Sequence, residues 1–338
     1  MLSIANPLLT WFYENRRSLP FREDPTPYHI WISEIMLQQT RMTAVLPYYD
    51  RFIRELPTVA DLAACDTDRL HKLWEGLGYY SRADNLKRAA EVICETYGGE
   101  LPADHGALLA LPGIGPYTAG AIASISFGIP APAVDGNVMR VFSRLYNDRA
   151  DITLGVTKSR VTERVTEEMP QDKAGDFNQA LMELGALICV PGEPKCESCP
   201  LADLCSAFGA GTAASLPAKS PKKPRRIQPV TALLVRSPKG WLLQKRPPSG
   251  LLKNMWQPWT VEEETDAEAL LHKMLPDAAI ERELQPAKHI FSHIEWHIRA
   301  YLVTCEQAPD FPGFVWADDM HAYAIPNAFK AYKDILNT

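Results

Sequence analysis

Over residues 1–210, apolar side chains recur three and four positions apart. The pattern runs through Ile30, Trp31, Ile35, Met36 and Leu37, again from Leu108 to Ile125, and again from Val161 to Ile188. That period lines apolar groups along one face of a helix. Pro and Gly at short intervals divide the run into many short helices joined by tight turns. From Gly209 to Pro229 the composition shifts to Ala, Pro, Ser, Lys and Arg, as in an extended, well-solvated linker. Beyond it the period changes. Val230 to Val235, a Pro-Lys-Gly turn, and Trp241 to Gln244 read as two strands joined by a turn, with a helix at Ala267 to Leu275 and a strand at Trp296 to Val303. No internal repeat is evident. The pattern predicts a multidomain chain: an all-α domain over 1–210, a linker over 211–229 and a smaller α+β domain over 230–338.

Composition agrees with that division. The 338 residues suit two domains, and 46% hydrophobic content excludes wholesale disorder. Lys+Arg 35 against Asp+Glu 41 gives a net charge of −6, which on average argues against a nucleic-acid partner. The distribution reverses the argument. Leu204 to Val261 holds ten Lys or Arg and no acidic residue, so the remainder of the chain stands at −16. Such a basic segment can steer a polyanion. Asn6 and Pro7 interrupt any signal-like apolar core, and no stretch reaches the roughly 18 apolar residues of a membrane span. A cytoplasmic protein with no membrane partner is expected, nucleoid-associated if bacterial.

Four of the seven cysteines, Cys189, Cys196, Cys199 and Cys205, fall in the spacing C-x6-C-x2-C-x5-C. With no export signal, clustering of this kind favours metal over disulfides. Short loops let four thiolates converge on one soft-metal site. Zinc competes with an iron–sulfur cluster for it, but zinc sites typically present two C-x2-C knuckles and this run has one. Cys65, Cys94 and Cys305 stand apart and read as packing thiols.

Two further features carry chemistry. Leu111-Pro-Gly-Ile-Gly-Pro-Tyr-Thr-Ala-Gly120 lies between helical patterns at Asp104–Ala110 and Tyr117–Phe127. There Gly113 and Gly115 permit positive φ and close approach of backbone amides to an anion, and Pro116 suits the first position of the following helix. This hairpin over 104–127 would grip a phosphate without reading sequence. Glu34 sits among large apolar residues, where a carboxyl loses solvation and holds a proton near neutral pH. Asp135, in Ala133-Val-Asp-Gly-Asn-Val138, is placed to open a helix, accept its amides and stay ionised. Together they offer an acid and an anion, the pair that glycosidic cleavage requires.

Hairpin, following Asp and cysteine spacing together resemble the helix–hairpin–helix DNA glycosylases that carry a 4Fe–4S cluster. Ser33-Glu-Ile-Met-Leu-Gln-Gln-Thr40, Gly76-Leu-Gly-Tyr-Tyr-Ser81 and Val134-Asp-Gly-Asn-Val138 narrow the likeness to the MutY family of adenine DNA glycosylases. The resemblance spans essentially the whole chain, because the C-terminal part resembles that family's MutT-like (Nudix-like) 8-oxoguanine recognition domain. It implies a base-excision repair enzyme acting on double-stranded DNA that contains A opposite 8-oxoguanine or G, working as a monomer. By the same resemblance Glu34 protonates the adenine, and Asp135 stabilises the sugar cation or forms a covalent intermediate that water resolves. Tyr117 and Asn137 orient the site. Arg17, Phe21, Leu37 and Gln179 line the adenine pocket. Gln39, with Thr40 beside it, Leu77 and Tyr79 wedge into the stack or hold the lesion base, and Phe291-Ser292-His293 enter the duplex.

Departures from relatives inform the expectation. Bifunctional lyases of the superfamily carry a Lys where this chain has Tyr117, and some relatives carry one where it has Met139. A phenol cannot form a Schiff base, so a monofunctional, hydrolytic enzyme is expected over the alternative, a related pyrimidine-damage glycosylase/lyase. Phe21 stands where many relatives place Trp, and Gln179 where some place Glu. In the C-terminal domain, Arg282-Glu283-Leu284 begins like the hydrolytic MutT pattern but continues Gln285-Pro286-Ala287, without the metal-binding carboxylates. That domain should bind rather than catalyse. Pro221 to Arg226 reads as a linker touching DNA phosphates rather than as a nuclear-import patch, with Lys222, Lys223, Arg225 and Arg226 supplying the charge.

Overall fold

A computed structural model describes residues 3–221 and 224–337. Lys222 and Lys223, two of the four cations assigned to the linker, lie outside the described residues. The chain forms two compact units, one of residues 1–64 with 85–221 and the other of 65–84 with 222–338. Residues 65–84, which sequence alone runs on with the first 210, thus keep company with the C-terminal part. Among the described residues no helix is long and apolar enough to cross a membrane.

The first unit is all-helical. Its centre is the helix Pro116–Phe127, which packs between Pro27–Leu37 and Ala174–Leu187. Pro116 occupies its first turn, and Gly128, at φ 66°, ends it in the left-handed cap that glycine tolerates. A second apolar cluster around Phe12, Phe142, Phe177 and Leu181 joins Ala5–Asn15, Gly136–Leu145 and Ala174–Leu187. The helices meet closely. A Cβ on Gly185 would fall 2.5 Å from the Cβ of Asn137, so only a bare α-carbon lets that helix reach the start of Gly136–Leu145. We expect Gly185→Ala to cost about 1–3 kcal/mol by forced displacement and to push Asn137 from its place. Thermal unfolding beside a single-turnover assay checks both; unchanged turnover would show that Asn137 tolerates the shift.

The hairpin matches expectation in its helices, His105–Ala110 and Pro116–Phe127, with the Asp104 carboxylate accepting from the Ala107 amide at 2.7 Å. It departs in one glycine. Gly113 is left-handed at φ 75° and a Cβ there would strike Asn85, but Gly115 is extended at φ −92°. Positive φ is therefore needed once, and Gly115 serves as the helix's N-cap. The region 209–221 is also less free than its composition suggests. The Asp151 carboxylate accepts from the Ser220 amide at 2.9 Å, and the Ile152 amide donates to Ala218 O at 3.1 Å.

In the second unit a mixed sheet is built from β1 (Arg226–Ser237), β2 (Gly240–Lys245), β3 (Trp256–Val261), β4 (Ala279–Glu283), β5 (Ala287–Ile290), β6 (Ile294–Thr304) and β7 (Phe314–Ala317). The order is β4-β6-β1-β3-β2-β7, with β5 also against β6, and among the described residues only the β1–β6 pair is parallel. Strand β1 is apolar on both faces because both are covered: Val230, Ala232 and Leu234 pack with Trp296 and Phe329, Leu233 and Val235 with the helix Ala267–Met274. Arg282 and Glu283 lie in strand β4, not on a helix, and Glu283 accepts from Arg299 at 3.2 Å. Their likeness to the hydrolytic helix motif is therefore one of letters alone.

Candidate active site

A cleft of about 700 Å³ in the first unit gathers residues far apart in sequence. Glu34, Tyr117, Asp135, Asn137, Arg17, Phe21, Leu37, Gln39, Thr40 and Gln179 all line it. Leu77 and Tyr79 do not; they belong to the second unit, as do Phe291, Ser292 and His293. Leu77 is buried, whereas Tyr79 is exposed and left-handed at φ 48°. Gln39, also exposed, is left-handed at φ 58°. Two non-glycine residues in that region mark turns held under strain.

Glu34 faces the cleft from the helix Pro27–Leu37, buried between Ile30, Trp31 and Ile35. Burial pushes its carboxyl from 4.5 up to about 7; the nearby Asp135 charge adds to the rise, and the Tyr117 hydroxyl, which donates to Glu34 Oε2, opposes it. Tyr117 comes from the first turn of the hairpin's second helix, so the element that would hold phosphate also bonds the acid.

Asp135 caps the helix Gly136–Leu145, accepting from the Val138 amide at 2.8 Å and from Asn137 Nδ2 at 2.7 Å. Burial nevertheless raises its carboxyl above the ordinary value against those donors. Sequence weighed the amides and missed the desolvation. Asn137 is itself held: its Oδ1 accepts from Arg140 Nη2 at 2.8 Å, while Arg140 also donates to Gly185 O and Cys189 O, each at 2.7 Å. One turn on, fully buried Arg144 donates to Leu216 O, Val190 O, Gly192 O and Cys189 Sγ. One helix thus ties the catalytic-looking carboxylate to the cysteine loop.

The four cysteines do come together, lining one small cavity with Arg144. Among the described residues no three His, Cys, Asp or Glu groups close tightly enough to hold a single metal ion. Four thiols facing one space suit a soft metal, as a tetrahedral zinc or as an iron–sulfur cluster.

Sequence reasoning missed Glu183. Buried among apolar groups, it accepts two bonds from the Arg17 guanidinium, at 2.7 and 2.8 Å, and one from Arg22 at 3.0 Å. Burial works against its charge, but the two arginines hold its carboxyl down to about 2. Arg17, expected to contact adenine, is thus engaged by Glu183, and Arg22 Nε donates to Gln179 Oε1 at 3.0 Å. Arg22, Met182 and Lys158 also line the cleft unforeseen. An apolar-flanked Glu at 183, about one helical turn from Gln179, was the only available signal.

Fold and site define the class: residues 32–170 match the family described as HhH-GPD superfamily base excision DNA repair protein, and 230–334 match the NUDIX domain. A solved thymine-DNA glycosylase shares 34% identity over 61% of this chain and 94% of its own, at a TM-score of 0.56. The adenine DNA glycosylase of Mus musculus is 33% identical over 97% of this chain and 77% of that protein. That of Buchnera aphidicola subsp. Schizaphis graminum is 31% identical over 97% of both. The chain belongs to the adenine DNA glycosylase family.

Proposed function

We propose that this chain hydrolyses the N-glycosidic bond of adenine mispaired with 8-oxoguanine or guanine in duplex DNA. The observation that carries the reading is Glu34: a buried carboxyl poised at about 7, bonded by Tyr117 and sharing a cleft with Asp135. Protonated Glu34 delivers its proton to the flipped adenine and makes it a leaving group. Bond breaking leaves positive charge on the sugar, where a carboxylate poorly solvated by its surroundings gains most from a new counter-charge. Asp135 fills that role, oriented by Asn137. Hairpin amides around Gly113 and Gly115 hold the phosphate, and Gln39, Leu77 and Tyr79 with Phe291–His293 compensate for the few kcal/mol that extrusion costs.

Cleavage stops at hydrolysis in this reading, because Tyr117 occupies the lyase position; Lys158 reaches the cleft from a different helix. A labelled duplex with A opposite 8-oxoguanine, incubated and then heated in alkali, should break at the adenine. No alkali-labile site there would overturn the function, and strand breakage without alkali would favour the pyrimidine-damage glycosylase/lyase reading.

Cys189, Cys196, Cys199 and Cys205 would hold a 4Fe–4S cluster, and the shared cavity supports that occupant. Bound there, the cluster would brace the 189–205 loop and supply charge near the DNA. Cys199→Ser should remove the broad visible absorbance of the purified protein and lower its melting temperature; a colourless parent protein would remove the assignment.

A further inference from the structure

Residues 65–84 carry the turn with Leu77 and Tyr79, and acidic groups on both sides of it meet lysines of the sheet domain in the same compact unit. Asp68 pairs with Lys245 at 3.4 Å and accepts from Trp256 Nε1 at 3.2 Å. Glu75 pairs with Lys333 at 3.2 Å, and Asp84 with Lys253 at 3.0 Å. Between these pairs the Tyr79 hydroxyl stands 3.3 Å from Ser292 Oγ.

Asp84 is the most enclosed of the three acids. Its Oδ1 takes buried His71 Nε2 at 2.7 Å while its Oδ2 faces Lys253. Both sides of the pair are built under strain: Tyr79 is left-handed at φ 48°, and Leu252 and Asn254, which bracket Lys253, at φ 54° and 60°. Non-glycine residues keep such conformations only where surrounding contacts enforce them.

We propose that the Asp84–Lys253 pair is a positioning device for lesion specificity, clamping the Leu77–Tyr79 turn to the Phe291–His293 loop so that both close on one partner base. The proposal rests on the function argued above. The residues that line the cleft of Glu34 and Asp135 do not include either one, so the pair governs which duplex is held rather than the bond-breaking step. An enzyme that loses the clamp keeps adenine excision opposite G and loses its advantage opposite 8-oxoguanine.

The test uses the full chain with Lys253→Glu, Asp84→Lys and the double swap, assayed in single turnover on A opposite 8-oxoguanine and A opposite G. Each single variant should reduce the ratio of the two rates about tenfold, the coupling expected of residues in direct contact, and the swap should restore part of it, because Asp84→Lys also gives up the bond to His71. Lys253→Gln, at a side chain one-third exposed, supplies a milder variant should the charge reversals unfold the protein. Equal losses on both duplexes, or no change in the ratio, would overturn the clamp. Failure of the parent protein to excise adenine from either duplex would instead overturn the function on which it rests.

Discussion

Asp135→Asn will bind duplex DNA as the parent protein does and release adenine about a hundred- to a thousandfold more slowly, the scale of losing a preorganised group opposite transition-state charge. The substitution is well suited to isolate chemistry from folding. Asn caps helices about as well as Asp, so its side-chain oxygen can still accept the Val138 amide that Asp135 now takes at 2.8 Å. What disappears is the negative charge. Because burial already holds that carboxyl above its ordinary value, its removal should not destabilise the native state. Single-turnover rates beside duplex affinity separate the two effects. Turnover within tenfold of the parent would show that another group supports the sugar cation, and a lost affinity would show that Asp135 acts in binding.

Much of this was legible in the sequence because the signals are local. A Ser-Glu-Ile-Met run places an acid among apolar neighbours, and Asp-Gly-Asn at a helix start places a carboxylate over free amides. Leu-Pro-Gly-Ile-Gly-Pro spells a turn between helices. The limits were equally physical. Arg17 and Glu183 lie 166 positions apart, and no period or cap links them. Asp135's rise in pKa depends on what surrounds its helix, not on the helix. Strands β3, β4, β5 and β7 went unread because each is short and lacks a sustained alternation of its own; only the long β1 and β6 and the β2 partner of the turn declared themselves. The same reason hid the allegiance of residues 65–84, whose helical pattern is that of the first domain but whose charges are matched by lysines of the second unit.

Those pairings also revise what the basic stretch can do. Lys245 and Lys253 are engaged by Asp68 and Asp84, and Arg246 is bonded to Glu262 at 2.6 Å. Three of the ten cations thus balance acidic groups of the protein itself. Lys219, Arg225, Arg226, Arg236 and Lys239 are further described members on the surface, and Arg225 Nε already donates to Phe291 O. Arg225 thus places positive charge beside the loop expected to enter the DNA.

Glu34 supplies the sharper test, because its activity and its cost to stability change with pH in ways that can be worked out. The acid must be protonated to act, and burial places its pKa at about 7. Excision should therefore be fastest below pH 7 and fall with rising pH through that value. Glu34→Gln, which cannot deliver a proton, should lose about a hundred- to ten-thousandfold in rate and the pH dependence with it. The stability that Glu34 contributes moves in the same direction. The native state keeps a proton on Glu34 that the unfolded chain releases near 4.5, so the stability this group contributes falls as pH rises from 4.5 to 7. Above pH 7 the buried charge costs about 3 kcal/mol, at 1.36 kcal/mol for each decade in proton affinity. Gln still offers an oxygen to the Tyr117 hydroxyl, so Glu34→Gln should melt several degrees higher than the parent at pH 8 and nearly level with it at pH 5. A variant that is inactive yet no more stable at pH 8 would mean that Glu34 is not desolvated in the folded protein. The proton for adenine would then have to come from elsewhere in the cleft.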